Sequence, residues 1–152
     1  MPKSDGKGVA LIIGAGDATG GAIAKKFAMK GFKVVITRRK VERLNRITEE
    51  IRSAGGIVHP FGVDARREEE MVSFVKKVED EIGEIEVAVY NVGGNVRFGI
   101  SETTSRVFFK VWEMCCFGGF LMGREVSNYM RTRERGTIIF TGATASVRGG
   151  NG

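Results

Sequence analysis

Short apolar runs alternate along this chain with stretches whose apolar residues recur every three or four positions. Val9 to Ile13 reads VALII, a continuous run that suits a strand buried on both faces. After a glycine turn, Ile23 and Phe27 fall one helical turn apart, Lys25, Lys26 and Lys30 are left for solvent, and Gly31 supplies a helix stop. Lys33 to Thr37 (KVVIT) predicts a second strand, and Val41, Leu44, Ile47 and Ile51 form the stripe of a second helix ended by Gly55 and Gly56. A shorter third strand lies within IVHPFGVD. Met71, Phe74, Val75, Val78 and Ile82 then mark a helical face stopped near Gly83. Glu86 to Tyr90 (EVAVY) is the fourth strand, a long helix runs from about Thr104 to Arg131, and TIIF is the fifth strand.

Strand and helix in strict alternation predict parallel strands joined by right-handed crossovers. The expected architecture is one α/β domain with a doubly wound parallel sheet in the order 3-2-1-4-5. Reversal of chain direction between strands 1 and 4 opens a crevice at the carboxyl ends of the strands, where such sheets bind ligands.

Composition narrows the picture. With 42% hydrophobic and 28% charged residues the chain reads as an ordinary globular protein, yet its 22 glycines against 2 prolines point to tight turns and close backbone approach. The net charge of +6 comes from Lys and Arg scattered over several segments, with concentrations at Thr37-Arg38-Arg39-Lys40 and at Arg131 to Arg135, the latter read as a solvated helix end. No aromatic–basic interleaving or recognition helix supports nucleic-acid binding. MPKSDGKG has no apolar core, so it does not read as a signal peptide. The apolar stretch from Val107 to Met122 is broken by Lys110 and Glu113, which argues against a membrane span and for a cytoplasmic protein. Cys115 and Cys116 are adjacent in a helical stretch, lack metal-ligand spacing, and read as small buried apolar residues. His59, the single histidine, stands before Pro60 and reads as structural.

The chemistry concentrates at the first strand-to-helix junction, IIGAGDATGGAIAKKF. Gly14, Gly16 and Gly20 let the backbone turn and approach a bound group, and the helix that follows offers free amides and a positive dipole end to an anion. A merely tight turn is the alternative. At the end of strand 2 an acid would bind a ribose 2′-hydroxyl, whereas a cation would accept a 2′-phosphate; this chain has Arg38 and Arg39 there and no carboxylate before Glu42. A solvated basic turn is the alternative at that position.

These features resemble the short-chain dehydrogenase/reductase family, whose Rossmann-like fold binds a nicotinamide cofactor. The family's three loop glycines fall on Gly14, Ala18 and Gly20, so the middle one carries a methyl group here, with Gly16 adding freedom beside it. The resemblance places Arg38 at the acid position and Arg39 at the phosphate-binding one, and favours NADP(H) over NAD(H). It also aligns Asp64 with an aspartate that contacts adenine (a helix N-cap being the alternative). Asn91-Val92-Gly93 aligns with the family's Asn-Ala-Gly, a turn being the alternative for Asn91.

The family's catalytic pattern fits less well. Cys115 stands where a supporting asparagine is usual, and Ala143 at the serine position, with Thr141, Thr144 and Ser146 as possible stand-in hydroxyls. A Tyr-x-x-x-Lys pair is expected roughly a dozen residues beyond the serine position, after Gly152, and neither Tyr90 nor Tyr129 has that spacing. The resemblance therefore implies the cofactor-binding part of an NADP-dependent oxidoreductase acting on a small-molecule carbonyl or alcohol, truncated before strand 6. The alternative is a non-catalytic dinucleotide-binding or oligomerisation module. An unpaired strand 5 (137–141) and the apolar helix 104–131 lead to the expectation of a homo-oligomer.

Overall fold

A computed structural model of the chain describes residues 6–94 and 96–148. Five parallel strands form one sheet in the order β3-β2-β1-β4-β5, as the alternation predicts. The strands are β1 (Val9–Ile13), β2 (Lys33–Arg38), β3 (Val58–Gly62), β4 (Ile85–Tyr90) and β5 (Thr137–Phe140). The helices are α1 (Thr19–Met29), α2 (Asn45–Ser53), α3 (Glu68–Lys77), α4 (Ser105–Trp112) and α5 (Gly118–Arg133).

β1 is central because every one of its side chains is apolar and finds cover. Val9, Leu11 and Ile13 face one core with Met71, Phe74 and Val75 of α3 and Leu121, Met122 and Val126 of α5. Ala10 and Ile12 face the other, with Ala24 of α1, Ile47 and Ile51 of α2, and Leu44. Successive strand residues point to opposite faces, so an uninterrupted apolar run requires helices on both sides. All five residues of β1 are at most 1% exposed. Burying each large aliphatic side chain contributes about 1.5–3 kcal/mol.

Register carries this core to the crevice. Ile13 pairs with Thr37 of β2 and with Tyr90 of β4, so three strand ends finish level with one another. Past that line β1 turns into α1 on one face while β4 belongs to the other half of the sheet, and the crevice opens between them.

Four expectations need correction. The second helix does not begin as one stripe: Val41–Leu44 forms a 3-10 turn in which Val41 is 41% exposed and Leu44 is the buried residue. The long helix is two α-helices joined by a π turn at Glu113–Phe117, and α4 buries no residue at all. Cys115 and Cys116 lie in that π turn and are exposed, because the buried face begins only at Gly118. The basic end of α5 is not simply solvated. Arg133, with 14% of its side chain exposed, pairs at 2.8 Å with the nearly buried Glu79, and Arg135 pairs with Glu84 and Glu86.

Candidate functional site

The site begins with two glycines that no other residue could replace in place. Gly14 has φ +84°, and a Cβ there would stand 2.5 Å from the Asn91 carbonyl oxygen. At Gly20 a Cβ would stand 2.5 Å from the Gly14 carbonyl oxygen and 2.8 Å from Ala15 Cα, which lets the first turn of α1 press onto the loop. Gly14 and Ala15 both donate their amides to the Thr37 carbonyl, at 3.1 and 3.0 Å, tying the loop to the end of β2. Ala18 is the N-cap of α1 and supplies no side-chain cap, so the helix's leading amides stay open to an external acceptor.

Asn91 braces the opposite wall. Its Nδ2 donates to the Gly14 carbonyl at 3.1 Å, and its Oδ1 lies 3.1 Å from the Thr141 hydroxyl, which also stands 3.2 Å from the Tyr90 carbonyl oxygen. One amide side chain thus joins the glycine loop, β4 and the end of β5. Thr141, read from sequence as a stand-in hydroxyl, is engaged in this brace. The Ser146 hydroxyl donates to the Ala143 carbonyl at 2.7 Å, closing its own 3-10 turn, and Thr144 opens that turn at the surface. Gly93 leaves open space where a side chain would be.

Two contiguous hollows share Gly14, Gly16, Arg38, Asn91, Val92 and Gly93. The narrower, about 220 Å³, takes in Arg39, Asp64 and Arg66 together with Tyr90 and Met114. The wider, about 930 Å³, takes in Asp17, Ala18 and Gly20 on one side and Cys115, Thr141 and Ala143 on the other. Every cofactor-binding residue expected from sequence (Gly14, Gly16, Ala18, Gly20, Arg38, Arg39, Asp64, Asn91 and Gly93) therefore lines one continuous cleft. His59 lies within β3, outside these linings; burial first, then Lys33 and Arg52, hold its pKa below the ordinary value.

Charge along the cleft is uneven. Arg38, Arg39, Lys40 and Arg43 surround a further depression at the end of β2. None of the four has an ion-pair partner among the described residues. The Arg38 guanidinium lies against the open backbone of Gly16, 3.9 Å from where a Cβ would stand. Lys40 and Arg43 were not singled out from sequence as site residues, although their spacing from Arg39 across one tight turn is the signal that would have found them.

Asp64 is not the N-cap of α3; Arg67 holds that position. The Asp64 carboxylate takes both Nε and Nη2 of Arg66, at 2.9 and 2.6 Å, while its amide donates to Glu70 at 3.0 Å. The hydrogen bonds from Arg66 are the main reason its pKa lies below the usual carboxylate range.

Tyr90 lacks the spacing of the Tyr-x-x-x-Lys pair, and its environment gives it another role. Its hydroxyl donates to the Met114 carbonyl at 2.5 Å, and burial pushes its pKa well above the ordinary value, with Cys115 adding to the shift. The acceptor lies in the π turn, a local departure from α-helical hydrogen bonding. Gly118 makes room for this contact, since a Cβ there would run into the Tyr90 hydroxyl. Tyr90 therefore ties β4 to the π turn.

A glycine-cradled loop at the first crossover, a basic end to β2 and a crevice at the switch between β1 and β4 define a doubly wound nucleotide-binding protein. The chain belongs to the short-chain dehydrogenase family, whose model matches residues 8–152. It is 32% identical over 150 residues to the versicolorin reductase of Emericella nidulans, a match spanning 97% of this chain and 55% of that protein. A crystal structure of a short-chain dehydrogenase from Rhodopseudomonas palustris is 49% identical, with a TM-score of 0.88 over 95% of this chain and 68% of that one. A metagenomic short-chain oxidoreductase solved in complex with NADP is 28% identical, with a TM-score of 0.83 over 87% of this chain and 60% of that one. The chain spans 43%, 52% and 55% of the length of three curated relatives, about half in each case.

Proposed function

We propose that this chain holds NADP(H), in preference to NAD(H), for an oxidoreductase that moves hydride between the nicotinamide and a small-molecule carbonyl or alcohol. The observation that carries the cofactor preference is the cluster Arg38, Arg39, Lys40 and Arg43, without an ion-pair partner among the described residues and with no acid at the position where a bare ribose would need one. The metagenomic relative solved with NADP supports the same choice.

The residues present fit such a cofactor. Gly14 and Gly20 leave a cradle that a Cβ would fill, and the uncapped start of α1 offers amides and dipole to a diphosphate. Arg38 and Arg39 would hold the 2′-phosphate through their planar forks. Asp64, with Arg66, would border the base, while Asn91 and Gly93 would keep the nicotinamide side open. The bound cofactor would supply the hydride. What this chain contributes is binding, orientation and exclusion of water along the wall from Asn91 to Thr141.

Calorimetric titration tests the preference. NADPH should bind at least tenfold more tightly than NADH, and Arg39→Ala should remove most of that ratio (about 1.4 kcal/mol per factor of ten). Equal affinities in the unaltered chain would overturn the reading.

A second reading, a non-catalytic dinucleotide-binding module, is favoured by one observation: the Tyr90 and Thr141 hydroxyls are both committed to structural hydrogen bonds. Turnover of NADPH with a panel of small ketones separates the two, since binding without turnover would favour the module. We further propose that a second copy covers the exposed Phe108, Phe109, Trp112 and Phe120 of α4 and α5, or pairs with the edge strand β5. Sedimentation at micromolar concentration would then report a dimer or larger species, and a monomer would refute it.

A further inference from the structure

Asp17 and Asp64 are the only carboxylates among the described residues that line the hollows of the cleft and its basic depression. Each is matched to one arginine: Asp17 to Arg46 at 2.9 Å, and Asp64 to Arg66 at 2.6 Å. Arg38, Arg39, Lys40 and Arg43 beside them have no ion-pair partner among the described residues. Both carboxylates of the cleft are thus already paired, while its β2-end cations are left without such a partner.

Arg46 is the less obvious of the two partners, because it comes from α2 and lines none of these hollows. It is held from its other side by Glu50, one helical turn on, at 2.8 Å, and Glu50 is in turn shared with Lys25 at 3.0 Å. Asp17 sits in the glycine loop and shares the wider hollow with Arg38. Arg46 does most to keep the Asp17 carboxyl below its ordinary pKa, by hydrogen bond and by charge, and Arg38 and Arg43 add smaller electrostatic pulls. Asp17 therefore shares a hollow with Arg38, one of the two arginines that would hold the 2′-phosphate.

We propose that Arg46 is a selectivity residue acting through Asp17: by occupying that carboxylate it keeps the neighbouring Arg38 free for a cofactor with a 2′-phosphate. This rests on the NADP(H) reading above and names a residue that the reading does not require to touch the cofactor. Without Arg46, an unmatched carboxylate would repel a group carrying nearly two negative charges and would draw a neighbouring guanidinium onto itself. A cofactor with a bare 2′-hydroxyl would feel little of either effect. The pair is solvent-exposed and adds little to stability, so its consequence lies in the field at the neighbouring site.

The test measures dissociation constants for NADPH and NADH by calorimetry on the unaltered chain, on Arg46→Ala and on Asp17→Asn/Arg46→Ala. In low salt, Arg46→Ala should lower the NADPH-over-NADH preference by about 5- to 10-fold while moving NADH affinity by less than about twofold. The double variant should recover the original ratio to within about twofold, and the effect should shrink at roughly 0.5 M salt. Loss of affinity for both cofactors alike, an unchanged ratio, or a double variant no better than Arg46→Ala would overturn the proposal while leaving the cofactor reading intact. An unaltered chain with no preference for NADPH would instead remove the reading beneath it, and the proposal with it.

Discussion

The side chain of Asn91 holds the carbonyl of Gly14 at 3.1 Å across 77 residues of sequence, and that carbonyl is also the atom against which Gly20 is packed. A polar side chain at the end of β4 thereby sets the shape of a loop at the end of β1. Asn91→Asp replaces the donor with an acceptor facing a carbonyl. It should cost about 2–3 kcal/mol in urea unfolding and weaken dinucleotide binding by more than Asn91→Ala does. Equal behaviour of the two variants would show that the amide donor is not what shapes the loop.

The loop glycines divide by what surrounds them. Gly20→Ala drives a methyl group into backbone atoms at 2.5 and 2.8 Å that cannot swing aside, and should cost about 2–3 kcal/mol or prevent folding. Gly16→Ala meets nothing closer than 3.9 Å and should leave the urea midpoint nearly unchanged. Similar midpoints for both would contradict the packing described.

Ala18 stands where the family usually carries a glycine, at the N-cap of α1 and on the wall of the wider hollow. Ala18→Gly removes the methyl group from the path of a diphosphate and should tighten NADPH binding several-fold, with little change in stability because glycine is well tolerated at an N-cap. Weaker binding would mean that the methyl group does not obstruct the diphosphate.

Gly118 and Tyr90 are coupled. Gly118→Ala would place a Cβ against the Tyr90 hydroxyl, with the Ala65 carbonyl oxygen at 3.0 Å. Combined with Tyr90→Phe, which removes that hydroxyl, the loss should be smaller than the sum of the single losses by about 1 kcal/mol. Strict additivity in thermal unfolding would rule the contact out as the cause.

The Asp64–Arg66 pair carries a pH signature. Its hydrogen bonds hold the Asp64 carboxyl below its ordinary 3.8 in the folded chain. Its stabilisation is therefore complete at neutral pH and is lost as pH falls from about 4 through the depressed folded value. Arg66→Ala should cost about 1–2 kcal/mol at pH 7 and flatten the fall of the urea midpoint below about pH 4. An acid limb as steep as that of the unaltered chain would assign it to other carboxylates.

Much of this protein was legible one residue at a time. Local pattern marked all five strands, most clearly where a strand covered on both faces must be apolar throughout, as Val9 to Ile13 is. The glycine pattern placed Gly14 and Gly20 at the junction of β1 and α1 and Arg38 at the end of β2, the family resemblance placed Asn91 just after β4, and parallel strands in a doubly wound sheet bring such ends together. These readings depend on neighbours close in sequence or on a topology with few alternatives.

The tertiary structure decided what depends on partners far along the chain. Cys115 and Cys116 read as buried because their segment is apolar, yet burial is set by which face meets the sheet, and that face starts at Gly118. Arg133 read as solvated because its segment is basic, yet Glu79 waits for it 54 residues away. The match of Asp17 with Arg46, across 29 residues, follows from α1 and α2 lying side by side on one face of the sheet. Sequence by itself determined where strands, turns and charges lie, because those follow from short-range pattern. Only folding decided which charges cancel and which stay free, because that depends on distances through space.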